Sequence, residues 1–185
     1  MNTWHLQQAA RTVSSGGVIA YPTEAVYGLG CLPEDAAAVI RILRLKNRPL
    51  SKGLIIIAAD LEQLLPYIIM PDTQARDRVL ATWPGPVTWV MPARSSVPHW
   101  LTGAHETLAV RVSDHPLVSS LCRLAGPLVS TSANPSNRPP ARSAMRVRAY
   151  FANKLDYILP GKAGPQSKPT EIRDALTGKI LRSVG

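Results

Sequence analysis

Cysteine, phenylalanine and, over two long stretches, acidic residues are scarce in this chain. There are two cysteines, Cys31 and Cys122, far apart and in no metal or redox spacing, which argues for reduced thiols rather than a disulfide framework. No apolar run approaches the span of a bilayer, and the N-terminus lacks a charged-then-apolar signal pattern, so a soluble cytoplasmic protein without a membrane partner is expected. His5, His99, His105 and His115 form no pair at zinc-helix spacing, so no protein-held metal is expected. Gly28-Leu29-Gly30 runs into Cys31-Leu32-Pro33 and so lacks the third glycine of a dinucleotide fingerprint. No phosphate loop ending in Gly-Lys-Ser/Thr occurs, and no Gly-x-Ser-x-Gly elbow.

The shortage of acids is local. Lysine and arginine number 21 against 12 aspartates and glutamates, a formal charge of +9. Between Asp35 and Asp60 there is no acid but Arg41, Arg44, Lys46, Arg48 and Lys52 are present. Between Asp114 and Asp156 the same holds around Arg123, Arg138, Arg142, Arg146, Arg148 and Lys154. Two basic blocks of this kind suit a polyanionic ligand if they converge, and a solvated surface that attracts RNA if they do not.

Helical periodicity over residues 3–15 puts Leu6, Ala9, Ala10 and Val13 on one face, closed by Gly16-Gly17. A second helix follows Pro33-Glu34-Asp35, with Ala36, Val39, Ile40 and Leu43 expected inward. Apolar strands are expected at 17–20, 53–58, 87–91, 107–112 and 128–131, and two closing strands flank Leu176-Thr177-Gly178. Pro22 should end the first strand, leaving Thr23 and Glu24 at its tip ahead of a glycine-permissive stretch, Gly28 to Gly30. The segment 92–106 reads as an irregular lid or binding loop. Strands that first alternate with helices and then end in a hairpin predict a single α/β domain over 1–185, a twisted mixed sheet with helices packed on it.

Three polar clusters fall at the ends of these elements: Thr23-Glu24, Lys46-Asn47-Arg48, and Ser130-Thr131-Ser132-Ala133-Asn134. The last offers four hydrogen-bonding side chains directly after a core strand, a shelf for a ligand of fixed shape or a set of turn caps.

Together with Trp83-Pro84-Gly85-Pro86-Val87-Thr88, Ala109-Val110-Arg111-Val112 and Glu171-Ile172-Arg173-Asp174, these clusters resemble, in order and over nearly the whole chain, the YrdC/TsaC family of L-threonylcarbamoyladenylate synthases, in its short bacterial form. The resemblance implies a basic concave surface and a reaction joining L-threonine, bicarbonate or carbon dioxide, and ATP into threonylcarbamoyl-adenylate with release of pyrophosphate. It implies partner proteins that pass the product to a tRNA adenosine beside the anticodon, with tRNA itself a further partner. Lys46 and Arg48 match the family's Lys-x-Arg and are the expected catalytic cations on the phosphates. Ser132 and Asn134 match its Ser-x-Asn and are expected to hold ATP, with Thr107 and Arg182 assisting. Thr23, Arg111, Ser130 and Thr170 match threonine-binding positions, and Mg²⁺ is expected to arrive with ATP. The sequence departs from the family at Asn137, where glycine is usual, and at Thr170, where serine is. The alternative function is a non-catalytic module binding tRNA or double-stranded RNA.

Overall fold

In the computed structural model, which describes residues 3–164 and 170–183, one mixed sheet runs through the molecule. The elements in order are α1 (Thr3–Ser14), β1 (Ile19–Pro22), β2 (Tyr27–Gly30), α2 (Ala36–Lys46), β3 (Ile55–Ala58), α3 (Thr73–Leu80), β4 (Thr88–Pro92) and α4 (His99–Thr102). They continue with β5 (Thr107–Val112), α5 (Pro116–Ala125), β6 (Leu128–Ser132), α6 (Ala144–Phe151), β7 (Tyr157–Ile158), β8 (Ile172–Asp174) and β9 (Ile180–Arg182). The strand order is β7-β1-β2-β6-β3-β5-β4-β8-β9. Three pairs are parallel (β1 with β7, β3 with β5, β4 with β8) and the other five antiparallel, the mixed α/β sheet expected from the chain's order of elements. Among the described residues no helix is long and apolar enough to cross a membrane.

Helices cover both faces. On one, Leu6, Ala9 and Val13 of α1 and Val118 and Leu121 of α5 pack on Ile19, Tyr21, Ile57 and Leu128. On the other, Val39 and Ile42 of α2 and Val147 and Phe151 of α6 meet Leu29, Ile56, Val110 and Val129. Each fully buried Val, Leu or Ile here contributes roughly 1.5–3 kcal/mol. The α2 stripe is rotated from the expected one: Ala38, Val39, Ile42 and Leu43 are buried, whereas Ala36 and Ile40 are only partly so.

Period-two alternation then decides where the site lies. Ile57 pairs with Arg111 and Leu128, and Ile55 with Ala109 and Ser130, so all six share the face of α1 and α5. The helices cover Ile57 and Leu128 at one end of these strands. At the other end Ile55, Ala109 and Ser130 line an open cavity.

Two expectations need correction. Tyr27–Gly30, expected as a stretch of permissive backbone, is a regular strand; it forms a hairpin with β1 and pairs with β6 on its far side. Segment 92–106 contains α4 and is pinned as a wall: Leu54 N donates to Leu101 O and Ala104 N to Ser51 O, at 2.8 and 3.0 Å.

Candidate active site

The cavity has a volume of about 510 Å³ and collects residues from both ends of the chain. Its near wall is the β1–β2 turn. The Thr23 amide and hydroxyl both donate to Val26 O, at 3.0 and 2.8 Å, which locks the tip that carries Glu24. Close approach explains Gly30 beneath it but not Gly28. A Cβ on Gly30 would lie 2.6 Å from both the Tyr21 ring and Val129 O, and one on Gly28 would stand 3.4 Å from Thr23 Cγ2.

Strand β5 supplies the floor. Thr107, Ala109 and Arg111 face the cavity together, as their alternation predicts. Arg111 is nearly fully buried, and its guanidinium is held from two sides. Nη1 donates to Thr170 Oγ1 at 2.8 Å, and Nη2 lies 3.1 Å from the Glu24 carboxylate. Among the described residues, the buried Nε of Arg111 has no hydrogen-bond partner. Glu24 is fixed in turn by the hydroxyl of Ser113, which donates to its other oxygen.

Two more guanidinium groups enter from opposite sides. Arg48 follows α2, which ends at Asn47 in the left-handed conformation (φ 51°), and its Nη2 donates to Gly53 O at 2.9 Å. Arg182, on the last strand, donates through Nη2 to Thr170 O at 2.8 Å. Burial pulls the pKa of each below the usual arginine range. For Arg182, the charges of Arg111 and Arg48 pull in the same direction. Three like charges that feel one another form a site suited to anions.

Thr23, Arg48, Thr107, Arg111, Ser130, Ser132, Thr170 and Arg182 all line this one cavity. Lys46 and Asn134 do not; they lie behind it. The buried Lys46 ammonium donates to the carbonyl oxygens of Ser132 and Asn134, the latter at 2.8 Å. Burial first, and the Arg48 charge second, lower its pKa to about 8. The Asn134 amide donates to Pro135 O and Arg138 O, and Ser136 Oγ to Lys46 O. The shelf is therefore stapled to the end of α2, and Asn137 takes the left-handed conformation (φ 64°) that a glycine would take there.

Sequence reasoning missed two residues, Lys52 and His105, which line the cavity. Glu24, singled out with Thr23 but given no role, stands directly behind Arg111. Lys52 belonged to the first basic block, but nothing in the sequence separates His105 from a surface histidine.

The likenesses to known proteins follow the same outline. Residues 11–183 match the family profile Sua5/yciO/yrdC, described as "Telomere recombination". A protein of Nitrosococcus oceani named threonylcarbamoyl-AMP synthase is 56% identical over 180 residues, 97% of each chain. One of the same name from Stutzerimonas stutzeri is 53% identical, again over 97% of each. Among solved structures, P. abyssi Sua5 complexed with L-threonine superposes with a TM-score of 0.92 at 34% identity, over 98% of this chain and 54% of that longer one. E. coli YciO gives a TM-score of 0.83 at 29% identity, over 96% of this chain and 88% of its own.

Proposed function

The chain belongs to the Sua5/YciO/YrdC family, and on that footing we propose that it makes threonylcarbamoyl-adenylate from L-threonine, bicarbonate and ATP, releasing pyrophosphate. The observation that carries this reading is the convergence of Arg48, Arg111 and Arg182 with the hydroxyls of Thr23, Ser130 and Thr170 on one cavity. Arg111, which lines the cavity, takes the amino acid's carboxylate, and Thr23, Ser130 and Thr170 surround that end. Arg48 and Arg182 take the phosphates, with Ser132 and Thr107 beside them. Lys46 adds its charge from behind the shelf, and Asn134 holds the shelf's turn closed.

The threonine amine adds to carbon dioxide with loss of a proton, or condenses with bicarbonate with loss of water, to give a carbamate. A carbamate oxygen then attacks the α-phosphorus of ATP, the bond from that phosphorus to the bridging oxygen breaks, and pyrophosphate leaves. Both reactants are anions, so the cations offset their repulsion and stabilise the charge gathering on the leaving group. No covalent link to the protein is required; alignment and electrostatics carry the rate. Mg²⁺ would arrive with ATP, bound by phosphate oxygens and water. Downstream, partner proteins would transfer the threonylcarbamoyl group to tRNA.

The test is mass identification of the adenylate formed with threonine, with serine and with neither. A threonylcarbamoyl-adenylate that requires threonine and bicarbonate supports the reading. A folded protein that binds tRNA at low salt but releases no pyrophosphate would transfer it to the RNA-binding class.

A further inference from the structure

The three cavity guanidiniums are not equivalent. Arg111 faces a buried carboxylate, Glu24, at 3.1 Å. Arg48 and Arg182 have, among the described residues, only neutral carbonyl partners: Gly53 O and Lys52 O for the first, Thr170 O for the second. The charged groups that feel Arg48, Lys46 and Arg182, are themselves cations. Positive charge is therefore compensated at one place in the cavity and uncompensated at the others. Glu24 is almost fully buried and does not line the cavity, so it touches no ligand there. Its position is nonetheless fixed from both sides: Ser113 Oγ–H holds one oxygen, and Gly164 closes over its main chain so tightly that a Cβ on that glycine would lie 2.3 Å from Glu24 O.

We infer that Glu24 is the residue that sorts the two anionic substrates within the cavity, by cancelling the charge of Arg111 so that this place accepts a singly charged amino-acid carboxylate and refuses a polyphosphate. Arg111 alone would be a strong phosphate ligand, since its fork matches phosphate as well as carboxylate. Beside Glu24, an incoming group with several charges meets a carboxylate within reach of the same guanidinium, while a single carboxylate meets a pair whose net charge is near zero. The polyphosphate is left to Arg48 and Arg182. Discrimination here comes from a repulsive element as much as an attractive one. Glu24 is thus a positioning and sorting residue rather than a catalytic one, and its role rests on the amino-acid-plus-triphosphate reading given above.

The experiment is calorimetric titration of the full chain with L-threonine and with inorganic tripolyphosphate, alone and in sequence. For the wild type, tripolyphosphate should still bind to threonine-saturated protein. In Glu24→Gln, tripolyphosphate should displace threonine. A merely structural role for Glu24 would weaken threonine without creating that competition. Glu24→Gln/Arg111→Met removes both partners of the pair and guards against a single variant that fails to fold. It should lose threonine binding and show no new place for tripolyphosphate. Displacement of threonine by tripolyphosphate in the wild type would overturn the inference, as would a folded Glu24→Gln that binds both ligands together. Wild-type protein that forms no adenylate from threonine, bicarbonate and ATP would instead overturn the underlying reading. Normal adenylate formation with an unaltered pattern in Glu24→Gln would remove the sorting role alone.

Discussion

Arg111 Nη1 donates to Thr170 Oγ1 at 2.8 Å, and this bond ties a central strand to the residue two before β8. The same Thr170 accepts from Arg182 through its carbonyl oxygen, so one residue spaces two of the three cavity guanidiniums. Thr170→Val removes the hydroxyl and keeps the shape. A hydrogen bond to a charged group contributes about 1.5–3 kcal/mol, so KM for threonine should rise roughly 10- to 100-fold. Thr170→Ser should stay near wild type. Steady-state kinetics with threonine and ATP varied separately check both.

Arg48 makes its contacts to carbonyls of its own loop and presents its charge to the cavity. Arg48→Ala should lower kcat/KM for ATP by about 10²-fold, the scale for losing one preorganised donor to developing charge. KM for threonine should change far less. Equal losses for the two substrates would argue that Arg48 only holds the loop.

Lys46 has its pKa lowered to about 8, chiefly by burial. Its charge is lost as pH rises through that value, so the alkaline limb of kcat/KM should fall with an apparent pKa near 8. Stability should move the other way. The unfolded chain keeps the proton up to about 10.5, so between about 8 and 10.5 the unfolded state binds more protons and this group's contribution to folding grows with pH. Activity profiles and urea melts over the same pH series test the two directions, and Lys46→Arg should shift the activity limb upward.

Gly30 and Gly28 sit two residues apart on β2 and should respond differently. A methyl on Gly30 would meet the Tyr21 ring and Val129 O at 2.6 Å, so Gly30→Ala should cost about 1–3 kcal/mol in denaturant melts. At Gly28 the nearest atoms are Thr23 Cγ2 and Ser130 Oγ, at 3.4 and 3.5 Å, so Gly28→Ala should fold and raise KM by filling the cavity edge.

Much of this site was legible because strand alternation carries over into space. Alternation along 107–112 puts Thr107, Ala109 and Arg111 on one side, and they line the cavity together. Asn137 was read as a stand-in for glycine and has the positive φ that this requires. Other features are settled only by tertiary contacts. Two glycines in Tyr27–Gly30 signal permissive backbone locally, yet pairing with β1 and β6 makes the segment a strand, and the close packing over Tyr21 needs a residue without a side chain at Gly30. The stripe of α2 was misjudged by part of a turn because apolar residues nearly encircle that helix, so periodicity could not choose its inner side. A cation in the sequence does not reveal its partners. Lys46 and Arg48 look equivalent on paper, but one is held by shelf carbonyls behind the cavity and the other lines it. The composition of 160–169 predicts a glycine- and proline-rich loop there, and residues 165–169 of it lie outside the described residues.

A crystal structure with L-threonine and a non-hydrolysable ATP analogue bound together is the most direct measurement. It should show the amino-acid carboxylate on Arg111 and the triphosphate against Arg48 and Arg182, side by side in the one cavity. Ligands bound in separate cavities, or a triphosphate seated on Arg111 with threonine elsewhere, would contradict the proposed site.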